Sequence, residues 1–263
     1  MATERLLDAP VMSERQATFR KEYRARIAGW YRGWMHIAAI YVIGGGALYG
    51  FFSQVGAVAW YEYFVIPIVV VLTSVFEWAI HRYIMHRPRK PKLLRAIYRR
   101  HTLMHHQFFT LDVTTFDNFR DLRVVLFPPY ALVTFIVMSG APAAALWFLI
   151  GPNAAWFLLT STTSMYLIYE FFHFCCHMRE NWFVRNMPCV NTIRRHHWAH
   201  HAQSIMMEKN MSLTFPIADW MFGTSDLDRG LLGTLFNGYN TKFVRSDLRH
   251  TERTPSGIEP AHA

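Results

Sequence analysis

The chain has 263 residues, 52% hydrophobic and only 17% charged, with a net charge of +9 and a mean hydropathy of +0.09. Such a composition points to a membrane protein carrying a sizeable polar part. Nucleic acid is not an expected partner, because the basic residues border apolar stretches and form no aromatic-interleaved face, and Cys175, Cys176 and Cys189 offer neither a CxxC nor a paired framework.

Residues 1–12 read as a disordered tail, and no cleavable signal peptide is visible in the polar first thirty residues. Ser13 to Gln16 forms a capping box that opens a helix. Phe19, Tyr23 and Ile27 then recur every four residues with Arg20, Arg24 and Arg26 between them. Two readings stand side by side: a basic amphipathic helix on the membrane surface, or a surface helix packed on the polar cap. This segment, residues 1–33, is taken as one unit, residues 34–225 as a membrane domain, and residues 226–263 as a cytoplasmic tail.

Four apolar segments follow, at residues 34–52, 57–80, 124–139 and 143–172. A crossing needs roughly 17–25 residues, so the third is short and the fourth, interrupted near Gly151 and Pro152, is long. Gly44, Gly45 and Gly46 would allow close helix contact in the first. Lys and Arg number seven in residues 1–33, ten in 82–123 and ten in 173–263, with none in the links near 53–56 and 140–142. That pattern predicts two hairpins with both termini in the cytoplasm. The expected fold is therefore an all-α integral membrane protein of about four transmembrane helices, with a cytoplasmic helical cap. Arg outnumbers Lys 22 to 5, which suggests a GC-rich bacterial genome and a bacterial inner membrane.

Ten of the 14 histidines fall into four groups: His81 and His86; His101, His105 and His106; His173 and His177; His197, His200 and His201. Members four apart share a helix face. His101 and His105 therefore pair, with His106 pointing elsewhere, and the last group behaves alike. His81 and His86, five apart, sit slightly off one face, as at a helix end before Pro88. Neighbouring imidazoles such as His105 and His106 can serve two ions, one each. The topology brings all four groups to one place at the cytoplasmic membrane surface, a histidine-rich dimetal site suited to redox-active ions.

Glu77 and Glu170 precede histidines at the inner ends of apolar spans. Each is expected to accept the far N–H of a ligating imidazole, with a salt bridge to Arg82 or Arg179 as the alternative. His196 also stands four before His200 and competes with His197 as ligand. His36, His250 and His262 stand alone and are read as ordinary histidines. The cysteines at 175 and 176 are read as packing thiols.

The box series HX3–4H, HX2–3HH, HX3H, HX2–3HH resembles that of the fatty acid hydroxylase/sterol desaturase superfamily of integral-membrane di-iron enzymes. His197 fits its last box better than His196, and the stretch NMSLTFPIADWMFGT at 210–224 is similar to its closing segment. The resemblance spans roughly Glu77 to Thr224. It implies two iron ions, O2 as co-substrate and hydroxylation of an unactivated C–H bond in a lipid, a fatty acyl or sphingoid-type chain first. Desaturation, or hydroxylation of a sterol, hopanoid or carotenoid, is the alternative. Zinc could occupy such a site in purified protein without supporting the reaction, having no redox chemistry. With no HPGG haem motif and no GxGxxG, the electrons would come from a separate ferredoxin or cytochrome b5-like donor with its reductase.

Two other classes are weaker. A membrane zinc hydrolase would need few ligands and a carboxylate base, and no HExxH occurs. A metal transporter would place its ligands within the spans.

Overall fold

Ser13 caps the first helix, α1 (Glu14–Ala25), by accepting the Gln16 N–H at 3.4 Å. In the computed structural model, which describes residues 12–248, this helix is anchored to the protein rather than laid on a surface. Its Arg20 and Gln16 are 1% and 2% exposed. A fully buried guanidinium is tolerable only where its N–H groups are met. Arg20 donates to the Phe108 and Val113 carbonyls and pairs with Asp117, and Arg24 pairs with Asp117 and Asp121. Of the two readings of this segment, packing on the cap prevails. The expected tail at residues 1–12 lies, but for residue 12, outside the described residues.

Next come α2 (Gly33–Phe52), a 3-10 turn (Trp60–Phe64) and α3 (Val65–Ile80), which runs without a break into a π-helical stretch, His81–Met85. After α4 (Lys92–Tyr98) a second π-helical stretch, Arg99–His105, leads into α5 (His106–Phe108). A 3-10 turn at Phe119–Asp121 and α6 (Leu122–Val125) precede two long helices, α7 (Pro129–Leu149) and α8 (Pro152–His177). The chain ends in short helices: α9 (Trp182–Asn186), α10 (Val190–His200), α11 (Ile217–Met221) and α12 (Leu231–Leu235). Among the described residues the only β pairing is an isolated bridge between Leu227 and Val244.

Three stretches are long and apolar enough to cross a membrane: Gly33–Phe52, Trp60–Met85 and Phe119–Leu149. They bare large apolar side chains such as Val42, Leu72, Val137 and Phe148. The fourth long helix, α8, is more polar, with TSTTS at 160–164, and packs against α2, α3, α7 and α10. It is the interior helix of the bundle.

The boundary between the third and fourth apolar segments differs from expectation. No break occurs at residues 140–142; α7 continues through Pro142 to Leu149. A proline inside a membrane helix is tolerated because local adjustments meet the freed backbone groups. The real turn is at Gly151, whose φ of 147° excludes a side chain, with Pro152 opening α8 at its first turn. Of the three clustered glycines only Gly44 is used for close approach. A Cβ there would meet the Leu167 side chain at 2.6 Å, while Gly45 and Gly46 face open space.

Residues 226–248 pack back on the cap. Asp226 pairs with Arg195, and the Gly238 N–H bonds Thr192. The two hairpins are tied at the far end by Asn153, which bonds Gly56, Ala57 and Glu62.

Candidate metal centre

The carboxyl-terminal ends of α3 and α8 meet, and the two π-helical stretches and α10 close over them. All ten grouped histidines converge here, each less than 9% exposed. Their Nε2 atoms form two adjoining clusters. His81, His86, His101, His106 and His200 make the first, with every donor atom within 4.8 Å of the others; His105, His177, His197 and His201 make the second on the same criterion. His173 flanks the second, its Nε2 3.3 Å from that of His105. The clusters abut: the rings of His106 and His201 lie 4.4 Å apart.

Helix type decides membership. In an α-helix, residues five apart diverge by about 140°. In a π-helix the i→i+5 ladder stacks them instead. His86 N–H bonds the His81 carbonyl, and His106 N–H bonds the His101 carbonyl, so both five-apart pairs face the first cluster. The four-apart pairs on α-helix, His173 with His177 and His197 with His201, face the second. This corrects one expected pairing: His101 partners His106 rather than His105. His197 and His201, four apart, share a cluster as their spacing predicts. The neighbours His105–His106 and His200–His201 each divide one ring to either cluster, as their adjacency suggested.

The outer nitrogens show how the rings are aimed. Five Nδ1–H groups donate to backbone carbonyls: His81 to Met211, His105 to Val124, His177 to Thr114, His200 to Lys209 and His201 to Phe109. His86 Nδ1 faces the Thr102 hydroxyl, whose own proton goes to the Met85 carbonyl. A committed Nδ1–H leaves the opposite Nε2 as a bare lone pair. Between rings committed in this way the inner contacts set lone pairs against each other, as between His86 and His200 at 2.9 Å and between His81 and His86 at 3.2 Å. Protonation does not relieve this. Burial, with neighbouring imidazoles adding to it, drives His101, His106 and His197 well below the usual imidazole range, and burial does the same to His105, His200 and His201. Converging neutral donors of this kind fit a cation in each cluster.

The two carboxylates expected to orient imidazoles do not touch one. Glu77 accepts the Leu213 and Thr214 N–H groups and the Thr214 hydroxyl; Glu170 accepts the Phe127 N–H. The alternative salt bridges are not formed either, since Arg82 bonds the Glu208 carbonyl and Arg179 pairs with Asp117. Backbone carbonyls take the role, because loop segments and not side chains line the outer faces of the rings. His196 is likewise not in either cluster: its Nε2 lies 3.0 Å from Asp219, a buried carboxylate that no sequence signal singled out. His36 is buried between Tyr31 and the Phe127 carbonyl, an ordinary structural histidine; His250 and His262 lie outside the described residues.

A cavity of about 600 Å³ opens between α1 and the segments around residues 107–112 and 201–204, and His106 and His201, one ring from each cluster, reach its wall.

A family model described as fatty acid hydroxylase matches residues 66–224. No curated protein and no solved structure matches the chain.

Proposed function

The chain belongs to the fatty acid hydroxylase family, and from that premise we propose that it is a membrane-bound, O2-dependent di-iron oxygenase that hydroxylates an unactivated C–H bond of a lipid. The observation that carries this reading is the division of ten inward-facing imidazoles into two adjoining clusters. One ion with ordinary coordination needs far fewer donors; two side by side use them all. Neutral nitrogen donors suit iron, zinc, copper and nickel alike, so the geometry supports a metal pair and the family supports iron. When bound, two iron ions would supply dioxygen activation with two electrons from outside, enough to hydroxylate a C–H bond.

The protein's own part is to hold the pair and exclude bulk water. His81, His86, His101, His106 and His200 would hold one ion, and His105, His173, His177, His197 and His201 the other. Each committed Nδ1–H keeps its ring neutral and aimed inward. The apolar flanks of α2, α3 and α7, with the histidine centre at one end of them, support a lipid as substrate. We read α8 as a fourth crossing, with both termini and the centre on the cytoplasmic side, in keeping with the Lys and Arg distribution. Trp60 and Trp147, both exposed, serve as interface anchors rather than channel lining.

The electron donor is a separate acidic protein of ferredoxin or cytochrome type. Between Glu77 and Asp112 the chain holds no acidic residue, and Arg89, Lys90, Lys92, Arg95 and Arg99 are exposed beside the first cluster. A patch of one sign steers an oppositely charged partner.

Untargeted mass spectrometry of lipids from cells with and without expression tests the reading. A lipid heavier by one oxygen is the expected result. A species lighter by two hydrogens would make the enzyme a desaturase, and no change from a protein shown to carry no metal would overturn the assignment.

A further inference from the structure

The carbonyls that aim the imidazoles come from two separate segments, and each segment is gripped by a different buried polar side chain. Phe109, Thr114 and Val124 serve His201, His177 and His105, all in the second cluster. Lys209 and Met211 serve His200 and His81, both in the first.

The grips sit one residue away. Arg20 holds the Phe108 and Val113 carbonyls at 2.8 Å each, and Gln16 Nε2 bonds the same two carbonyls at 2.9 Å and 2.8 Å. The residues that follow, Phe109 and Thr114, are those that receive His201 and His177. On the other side Asp219, with no exposed surface, accepts the Met211 and Ser212 N–H groups, the Thr224 hydroxyl and His196. Asn210, at a φ of 58°, bonds the His196 carbonyl and the Asp226 N–H, and so fixes the peptide between Lys209 and Met211.

We propose that Arg20 and Asp219 are positioning residues for the two metal positions separately, Arg20 with Gln16 for the second cluster and Asp219 with Asn210 for the first, so that either position can be weakened alone. The inference rests on the dimetal reading above. Its physical basis is that an imidazole whose N–H partner is loosened loses its aim, and partners of this kind are worth on the order of 10–100-fold in metal affinity.

The test uses the purified full chain in detergent, stripped of metal and titrated anaerobically with Fe2+ alone, with bound iron counted per chain. The unaltered protein should bind two ions. Arg20→Met should weaken one position 10–100-fold, with Asp117 still paired to Arg24 and Arg179. Arg20→Lys should recover part of the loss. Adding His197→Ala to Arg20→Met should change little, whereas adding His106→Ala should remove the remaining ion. Asp219→Asn should show the opposite dependence. Where either variant fails to give a monodisperse helical protein, Gln16→Leu and Asn210→Gly replace it, since each removes side-chain bonds without stranding a buried charge. Equal weakening of both positions, or of neither, overturns the proposal while leaving the dimetal reading intact. An unaltered chain that binds no iron overturns both.

Discussion

His105 and His106 are adjacent in the chain and serve different clusters: His106 Nε2 lies 3.1 Å from His101, and His105 Nε2 lies 3.3 Å from His173. One peptide bond thus joins the two halves of the centre, and His200–His201 joins them again from α10. The clusters are close enough to act on one bound molecule, yet the five-apart pairs on π-helical turns face one and the four-apart pairs on α-helix face the other.

Metal removal should separate structure from chemistry. Neutral rings whose lone pairs face each other, such as His86 and His200, repel when empty, so the stripped protein should melt at a lower temperature than the loaded one, and either Fe2+ or Zn2+ should restore the melting point by mass action. Only iron should restore turnover, since zinc has no redox chemistry. Turnover with zinc alone would refute an oxygenase.

His196 and His197 should part company on substitution. His197→Ala removes a ring of the second cluster and should lower iron binding and abolish hydroxylation. His196→Ala leaves the buried Asp219 one hydrogen bond short, a loss of about 1–3 kcal/mol. It should lower the melting temperature while two irons still bind at saturating metal. The paired measurement is iron per chain and a thermal melt.

Three glycines should rank by what a Cβ would strike. At Gly33 it would lie 1.8 Å from the Phe119 carbonyl oxygen, which is backbone and cannot yield; at Gly44 it would meet the movable end of Leu167. Gly33→Ala should therefore be the more damaging, Gly44→Ala should cost about 1–3 kcal/mol, and Gly46→Ala should be neutral or slightly stabilising. Thermal stability in detergent reads the order.

Acid should loosen the cap through Asp226. Burial works to raise this carboxyl, but the Arg195 guanidinium at 2.5 Å outweighs it and holds it below the usual carboxylate range. The folded form therefore binds a proton less readily than the unfolded chain. The resulting stabilisation is complete above the unfolded value of about 3.9 and is lost as pH falls through the lower folded value. Asp226→Asn should lower stability at pH 7 by about 3–5 kcal/mol, because it breaks the buried ion pair with Arg195. It should also flatten the acid limb of the stability profile below about pH 4. A variant as stable as the parent at pH 7 would show that the pair contributes nothing.

Much of this protein was legible before any coordinates. Composition marked a helical membrane protein, and the spacing of ten histidines marked adjoining clusters that could hold metal, because donors must recur at helical intervals to converge. Ser13 as a cap and the division of His105 from His106 follow from local geometry alone. Tertiary structure decided what local periodicity cannot see. The π-helical stretches at His81–Met85 and Arg99–His105 re-paired the rings, since a change from four- to five-residue stacking leaves no mark in a string of letters. Of the two interruptions the sequence offered, 140–142 and Gly151–Pro152, only the second ends a helix, because a proline inside a membrane helix can be absorbed whereas a φ of 147° strains any side chain. The partners of the outer imidazole nitrogens are carbonyls, which every residue carries, so no side-chain pattern could announce them. Arg20 and Asp219 look like surface charges in sequence; burial against distant backbone, 88 and 8 residues away, is what makes them part of the centre.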